Sequence, residues 1–68
     1  MNAMETLKDL QKATLAARAR TGDAAISTQV NAGKIQVGRV IYKKSVGDFT
    51  PSTGWLTAAE AINELNRL

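Results

Sequence analysis

The chain has no cysteine and no histidine among its 68 residues. Without cysteine no disulfide can staple the fold, and without either residue the usual zinc constellations are closed. The same two absences exclude Cys–His and Ser–His nucleophilic pairs. Lack of cysteine is compatible with a reducing cytosol, the expected location. Apolar runs are short as well. They reach only two or three residues, as in "VIY" at 40–42, whereas a membrane-spanning helix needs about 20. The N-terminus carries no apolar stretch of signal-peptide length, because Glu5, Lys8, Asp9 and Lys12 interrupt it. Met4 is a candidate native start, with residues 1–3 a candidate vector remnant ahead of it, and no reading below rests on those three.

Other chemistry is thin too. The carboxylate pair Glu60 and Glu64 stands one turn apart on the solvent side of a helical pattern, the arrangement of a solvated face rather than an acid–base couple. Gly33, Gly38, Gly47 and Gly54 are isolated and show no phosphate-loop spacing. Ser45 beside Lys44 is formally a Ser–Lys pair, but neighbours on a strand point to opposite faces. No enzyme activity, cofactor, metal or small-molecule substrate is expected.

What is present is one small domain. A chain this short buries only about 60% of the surface its unfolded form exposes, so tight packing or self-association must complete its stability. The net charge of +3 is ordinary, but its placement is not. Residues 18–44 hold Arg18, Arg20, Lys34, Arg39, Lys43 and Lys44 against Asp23 alone, and a clustered positive field attracts polyanions.

Periodicity predicts a helix over about 4–20. Met4, Leu7, Leu10, Thr14 and Ala17 share one face, Leu15 widens it, and charged residues lie opposite. Arg18, Arg20 and Gly22 mark its end. "AAISTQV" alternates as a strand, with Ile26, Thr28 and Val30 on one face. "NAG" fits a three-residue hairpin loop with Gly33 left-handed. The returning strand is "KIQVGRVIYKK". Its phase slips, since Ile35 and Val37 share a face while Val40 and Tyr42 fall on the other. A bulge at Gly38–Arg39 would restore one apolar face. The rival is a regular strand covered on both sides, or exposed to a partner on its second face. Val46 to Thr50 is a candidate short third strand, and Pro51–Gly54 a loop. Thr57 and Glu60 form a capping box for a last helix whose stripe is Ala58, Ala61, Ile62, Leu65 and Leu68, running to the chain end.

The expected fold is therefore α+β: a helix, an antiparallel β-hairpin with a possible third strand, and a C-terminal helix, both helices on one face of the sheet. The expected core is Leu7, Leu10, Ile26, Val30, Val37, Val40, Phe49, Leu56, Ile62 and Leu65, with Trp55 at its margin.

Two binding surfaces stand out. Arg18, Arg20, Lys34, Arg39, Lys43 and Lys44, with Tyr42 placed to stack on a base, are candidates for gripping nucleic acid or another acidic surface. Edge-strand lysines also serve simply to keep a sheet soluble. Ile41 and Trp55 are candidates for an apolar contact with a protein partner, a second copy of the chain included.

The layout also resembles the small phage head–tail joining proteins of the lambda W type. The matching parts are an Ala-rich first helix closing at Thr21 and Gly22, the hairpin "AAISTQVNAGKIQV" and the last helix "AAEAINEL". The segment "KKSVGDFTPSTGW" departs from that family, which passes from hairpin to helix more directly. The resemblance implies a virion assembly protein that docks into a ring of other proteins and catalyses nothing.

Overall fold

A computed structural model describes residues 3–68, with side chains described from Leu7 onward. The expected place of Met4 on the helix face lies outside the described side chains. The elements are α1 (Ala3–Thr21), β1 (Ile26–Asn31), β2 (Lys34–Lys43), β3 (Val46–Pro51) and α2 (Ala58–Asn66). The three strands form one antiparallel meander in the order β1-β2-β3. The protein is an α+β domain with the third strand present.

Each boundary has a local cause. Gly22 takes a left-handed φ of 70° and donates its N–H to the Arg18 carbonyl at 2.9 Å, ending α1. The Thr21 hydroxyl then accepts from the Asp23 N–H, and the Asp23 carboxylate from the Ala25 N–H, which turns the chain into β1. At α2, the Glu60 N–H donates to the Thr57 hydroxyl at 3.2 Å and the Thr57 N–H to the Glu60 carboxylate at 3.0 Å. The capping box is complete. Helix α2 stops at Asn66, with Arg67 as its C-cap, two residues short of the expected end at Leu68.

Both hairpins close with two-residue turns. Asn31 pairs with Lys34, leaving Ala32 and Gly33 at φ of 52° and 76°. The expected three-residue loop is thus tighter than predicted, with Gly33 left-handed as expected. Lys43 pairs with Val46, leaving Lys44 and Ser45 at φ of 52° and 70°. Positive φ at both central residues is the requirement of the type I′ turn, whose twist matches that of the flanking strands.

The expected bulge at Gly38–Arg39 is absent. Strand β2 pairs without interruption with β1 from Lys34 to Arg39 and with β3 from Gly38 to Lys43. The irregularity lies in the neighbouring segment instead. After Pro51 the chain loops at Ser52–Gly54, the Ser52 and Thr53 N–H groups both reach the Val37 carbonyl, and Leu56 rejoins β2 opposite Ile35. The phase slip in the sequence is real: β2 changes the side on which it is apolar.

Helices α1 and α2 pack on each other and on the face of the sheet that carries Ile26, Ile35 and Val37. The core there comprises Leu10, Ala13, Ala17, Ile26, Ile35, Val37, Ala61 and Leu65, with Leu56, Ala58 and Ile62 against it. Small alanines let the two helices approach closely, and buried Thr14 returns its hydroxyl to the Leu10 carbonyl at 2.8 Å. Four expected core residues lie elsewhere. Leu7 and Val30 are 55% and 53% exposed, at the open side of α1 and β1. Val40 and Phe49 face away from the helices, because a regular β2 puts them on the opposite face from Val37. Ile35, outside the expected core, is buried in the observed one at 3% exposure.

Candidate functional site

Neither helix packs on β3 among the described residues. Beyond Arg39, strands β2 and β3 therefore run out as a two-stranded arm, joined to the body through β2 and through the Ser52–Thr53 segment that bonds the Val37 carbonyl. The arm is exposed over nearly all its length, with only Val40 and Phe49 half-buried.

Its two faces differ. On the face turned away from the helices lie Val40, Tyr42, Phe49 and Pro51, around Gly38 and Gly47, with no charge among them. The two aromatic rings lean on the two glycines. A Cβ at Gly47 would sit 3.1 Å from Tyr42 Cε1, and one at Gly38 would sit 2.9 Å from Phe49 Cζ. Each ring covers the bare backbone a glycine leaves open, which pins the register of the arm. Pro51 sits on the outer edge, where its missing N–H removes a donor that would face solvent. On the other face, Ile41 opposes Asp48 and Lys43 opposes Val46. The tip is the Lys44–Ser45 turn, so these two residues are not a strand pair as the sequence reading supposed. Tyr42 is 74% exposed, with Lys43 beside it.

The basic residues do not converge. Arg18 donates from Nε to the Ile26 carbonyl at 2.7 Å. Arg20 spans the two helices, donating to the Leu65 carbonyl at 2.8 Å and the Leu68 carbonyl at 3.1 Å. It places a cation at the negative end of α2 as well as in the last turn of α1. Arg39 forms an ion pair with Asp23 at 2.9 Å. The Arg39 hydrogen bond, aided by the Ala25 N–H, holds the Asp23 carboxyl below its ordinary pKa. The Thr57 backbone N–H of the cap, then the Thr57 hydroxyl, hold the Glu60 carboxyl below its ordinary pKa, with the charge of Lys34 adding to them. Lys34 itself stands at the other end of β2, about 30 Å from Lys43 at strand rise. Only Lys43 and Lys44, with Tyr42, remain together.

Trp55 is 45% exposed next to Leu56, at the end of β2 away from the arm tip. It does not join Ile41 in one patch, since about six strand residues, roughly 20 Å, separate them. Sequence reading missed Val46, which is 67% exposed at the arm tip and opposes Lys43. Its signal was present: Val46 begins an alternating run directly after a turn.

No protein-family model, no curated protein and no solved structure matches this chain. Its own geometry is what bears on function. Among the described residues, every buried side-chain nitrogen and oxygen has a hydrogen-bond partner. No group of three or more potential metal ligands gathers among them either. No helix is long and apolar enough to cross a membrane.

Proposed function

We propose that this protein is a non-enzymatic binding module that engages a protein partner through the β2–β3 arm. The observation that carries the reading is the uncharged, uncovered face of Val40, Tyr42, Phe49 and Pro51 on an arm whose β3 strand no helix packs against among the described residues. A solvated antiparallel face is normally polar. The remainder of this sheet's outer face obeys that rule, with Ser27, Gln29, Asn31, Lys34 and Gln36. The switch from polar to apolar occurs where the arm leaves the body. On the opposite face of the arm Ile41 and Val46 are exposed as well, and an exposed aromatic such as Tyr42 is a common anchor of a protein interface. Assembly into a larger protein structure, as in head–tail joining, is one function this arm would serve. A cytoplasmic or virion-associated location goes with that reading.

A second reading is supported by Lys43 and Lys44 beside Tyr42. Two lysines without an ion-pair partner among the described residues, beside a stacking ring, suit contact with nucleic acid. Two phosphate contacts give a log–log salt slope of only about −2, so binding by one copy would be weak.

The test is affinity capture from the native host with the wild-type chain and with the Tyr42→Ser, Ile41→Asp double variant. Specific proteins retained by the wild type and lost by a variant with an unchanged circular dichroism spectrum support the arm. Equal retention by both rejects it. A fluorescence anisotropy titration at about 50 mM salt, where phosphate contacts are strongest, decides the second reading.

A further inference from the structure

Strand β1 is the other edge of the sheet, and its outer side lies under the flank of α1. The pairing phase follows from the Val40 N–H, which donates to the Ala25 carbonyl at 2.8 Å. By alternation Ser27 and Gln29 also turn their backbone groups toward β2, while Ile26, Thr28 and Val30 turn theirs outward. The Ile26 carbonyl is taken by Arg18. Among the described residues, none meets the outward groups of Thr28 and Val30. Above them runs a groove of ≈ 380 Å³ whose lining includes Leu7, Gln11, Leu15, Arg18 and Val30. Strand β1 has no charged residue and no proline, the two common devices that blunt an edge.

We propose that this edge is closed by a second copy of the chain, in an antiparallel β1–β1 dimer centred on Gln29. The free groups are self-complementary in that register. The Thr28 N–H and carbonyl meet the carbonyl and N–H of Val30 in the second copy, and the two-fold axis repeats the exchange. Arg18 keeps the Ile26 carbonyl, so no existing bond is lost. On the outer face Gln29 already donates to the Gln36 amide oxygen at 2.9 Å. The two-fold would bring Gln29 against its own copy and join the two pairs into one amide ladder across the dimer.

On the helix side the same axis is self-complementary too. Moving from Ile26, where Arg18 is tied, to Gln29 covers about 10 Å of strand. That distance equals six or seven helix residues at about 1.5 Å each, which brings Gln11 level with Gln29. Leu7 then faces Leu15 of the second copy on either side of Gln11, and Val30 closes beneath them. Charge permits the contact. Among the described residues the groove lining holds a single cation, Arg18, and it is bound to a backbone carbonyl.

Area sets the strength. Six strand residues span about 20 Å, and sheet edge plus helix flank stand roughly 20 Å high. The flank is therefore about 400 Å² per copy, at the weak end of specific interfaces. Dimerisation is expected to be weak, with a dissociation constant on the order of 0.1 mM. This surface is separate from the arm, so either proposal can fail alone.

The chain lacks cysteine, which makes single-cysteine crosslinking clean. In the dimer the Gln29 Cα atoms form a non-hydrogen-bonded pair about 4.5 Å apart, within disulfide reach. Gln29→Cys should therefore form an oxidised dimer at least about tenfold faster than Val46→Cys at the same concentration, through effective concentration alone. Adding Val30→Lys, at an exposed position, should slow the Gln29→Cys crosslink at least about tenfold by setting a charge into the interface. The thermal melt of the Val30→Lys variant verifies that it still folds. Sedimentation of the wild type should show mass rising with concentration. A strict monomer to about 1 mM, where such an interface would be populated, overturns the proposal. So does a Gln29→Cys crosslink no faster than that of Val46→Cys.

Discussion

Replacing Gly38 by Ala tests the register of the arm at one atom. A Cβ at Gly38 would overlap the Thr50 carbonyl oxygen and lie 2.8 Å from Pro51 Cα and 2.9 Å from Phe49 Cζ. The first two are backbone atoms of the paired strand and have no rotamer to change. Relief requires β3 to shift against β2, and overpacking of this kind costs about 1–3 kcal/mol. Restricting the unfolded chain returns about 0.4–1 kcal/mol. The net expectation is a loss of roughly 1–2 kcal/mol, or about 4–15 °C in melting temperature for a domain of this size. Gly47→Ala is the matched control. Its nearest neighbour is Tyr42 Cε1 at 3.1 Å, the ring of an exposed side chain that can swing aside. That variant should melt within about 3 °C of wild type, since a small steric shift and the entropic gain offset each other. The assay is a thermal melt followed by circular dichroism, with urea unfolding as a second measure. A Gly38→Ala variant as stable as wild type, or a Gly47→Ala variant equally damaged, would refute the pairing of Gly38 with Pro51.

Three further outcomes follow from the same contacts. The turn of Lys44 and Ser45 holds two non-glycine residues at positive φ, so Lys44→Asn with Ser45→Gly should stabilise by about 1–2 kcal/mol, read as a higher urea midpoint at unchanged slope. Arg20→Ala should remove the tie between α1 and the end of α2, costing about 1 kcal/mol at this exposed site, and Arg20→Lys should restore only part of it because one ammonium cannot reach both carbonyls as the guanidinium does. Asp23 and Glu60 both have folded-state pKa values below their unfolded ones, so their stabilisation is complete above the unfolded values near pH 4 and fades as pH falls through the folded ones. Asp23→Asn should flatten that acid limb of the stability curve, and an unchanged limb would show the Arg39 pair to be inconsequential.

The helices were legible because their signals are local. Gly22 after two arginines, and Thr57 three residues before Glu60, each complete their own hydrogen bonds within one turn. The hairpin arm was harder to read for physical reasons. Its turn is Lys44–Ser45, which lacks the Asn or Gly that advertises a type I′ turn, and is held in shape by strand pairing on both sides. Gly38 carried two meanings. Glycine signals a bulge, yet here it makes room for the Thr50 carbonyl and the Phe49 ring, which only tertiary structure reveals. That misreading placed Val40 and Phe49 in the core and hid the uncharged face they share with Tyr42. The basic cluster dispersed for a similar reason. Arg18, Arg20 and Arg39 each find an oxygen brought near by folding, at Ile26, at Leu65 and Leu68, and at Asp23. Sequence shows the charges but not these partners.

The most direct test of the arm is a photo-crosslinking amino acid placed at Tyr42, with the same probe at Lys12, an exposed position on α1, as the control. After irradiation in the native host, the Tyr42 probe should give a discrete protein adduct that the Lys12 probe does not. Adducts of equal yield from both positions, or none at Tyr42, would contradict the assignment of the β2–β3 arm as the binding element.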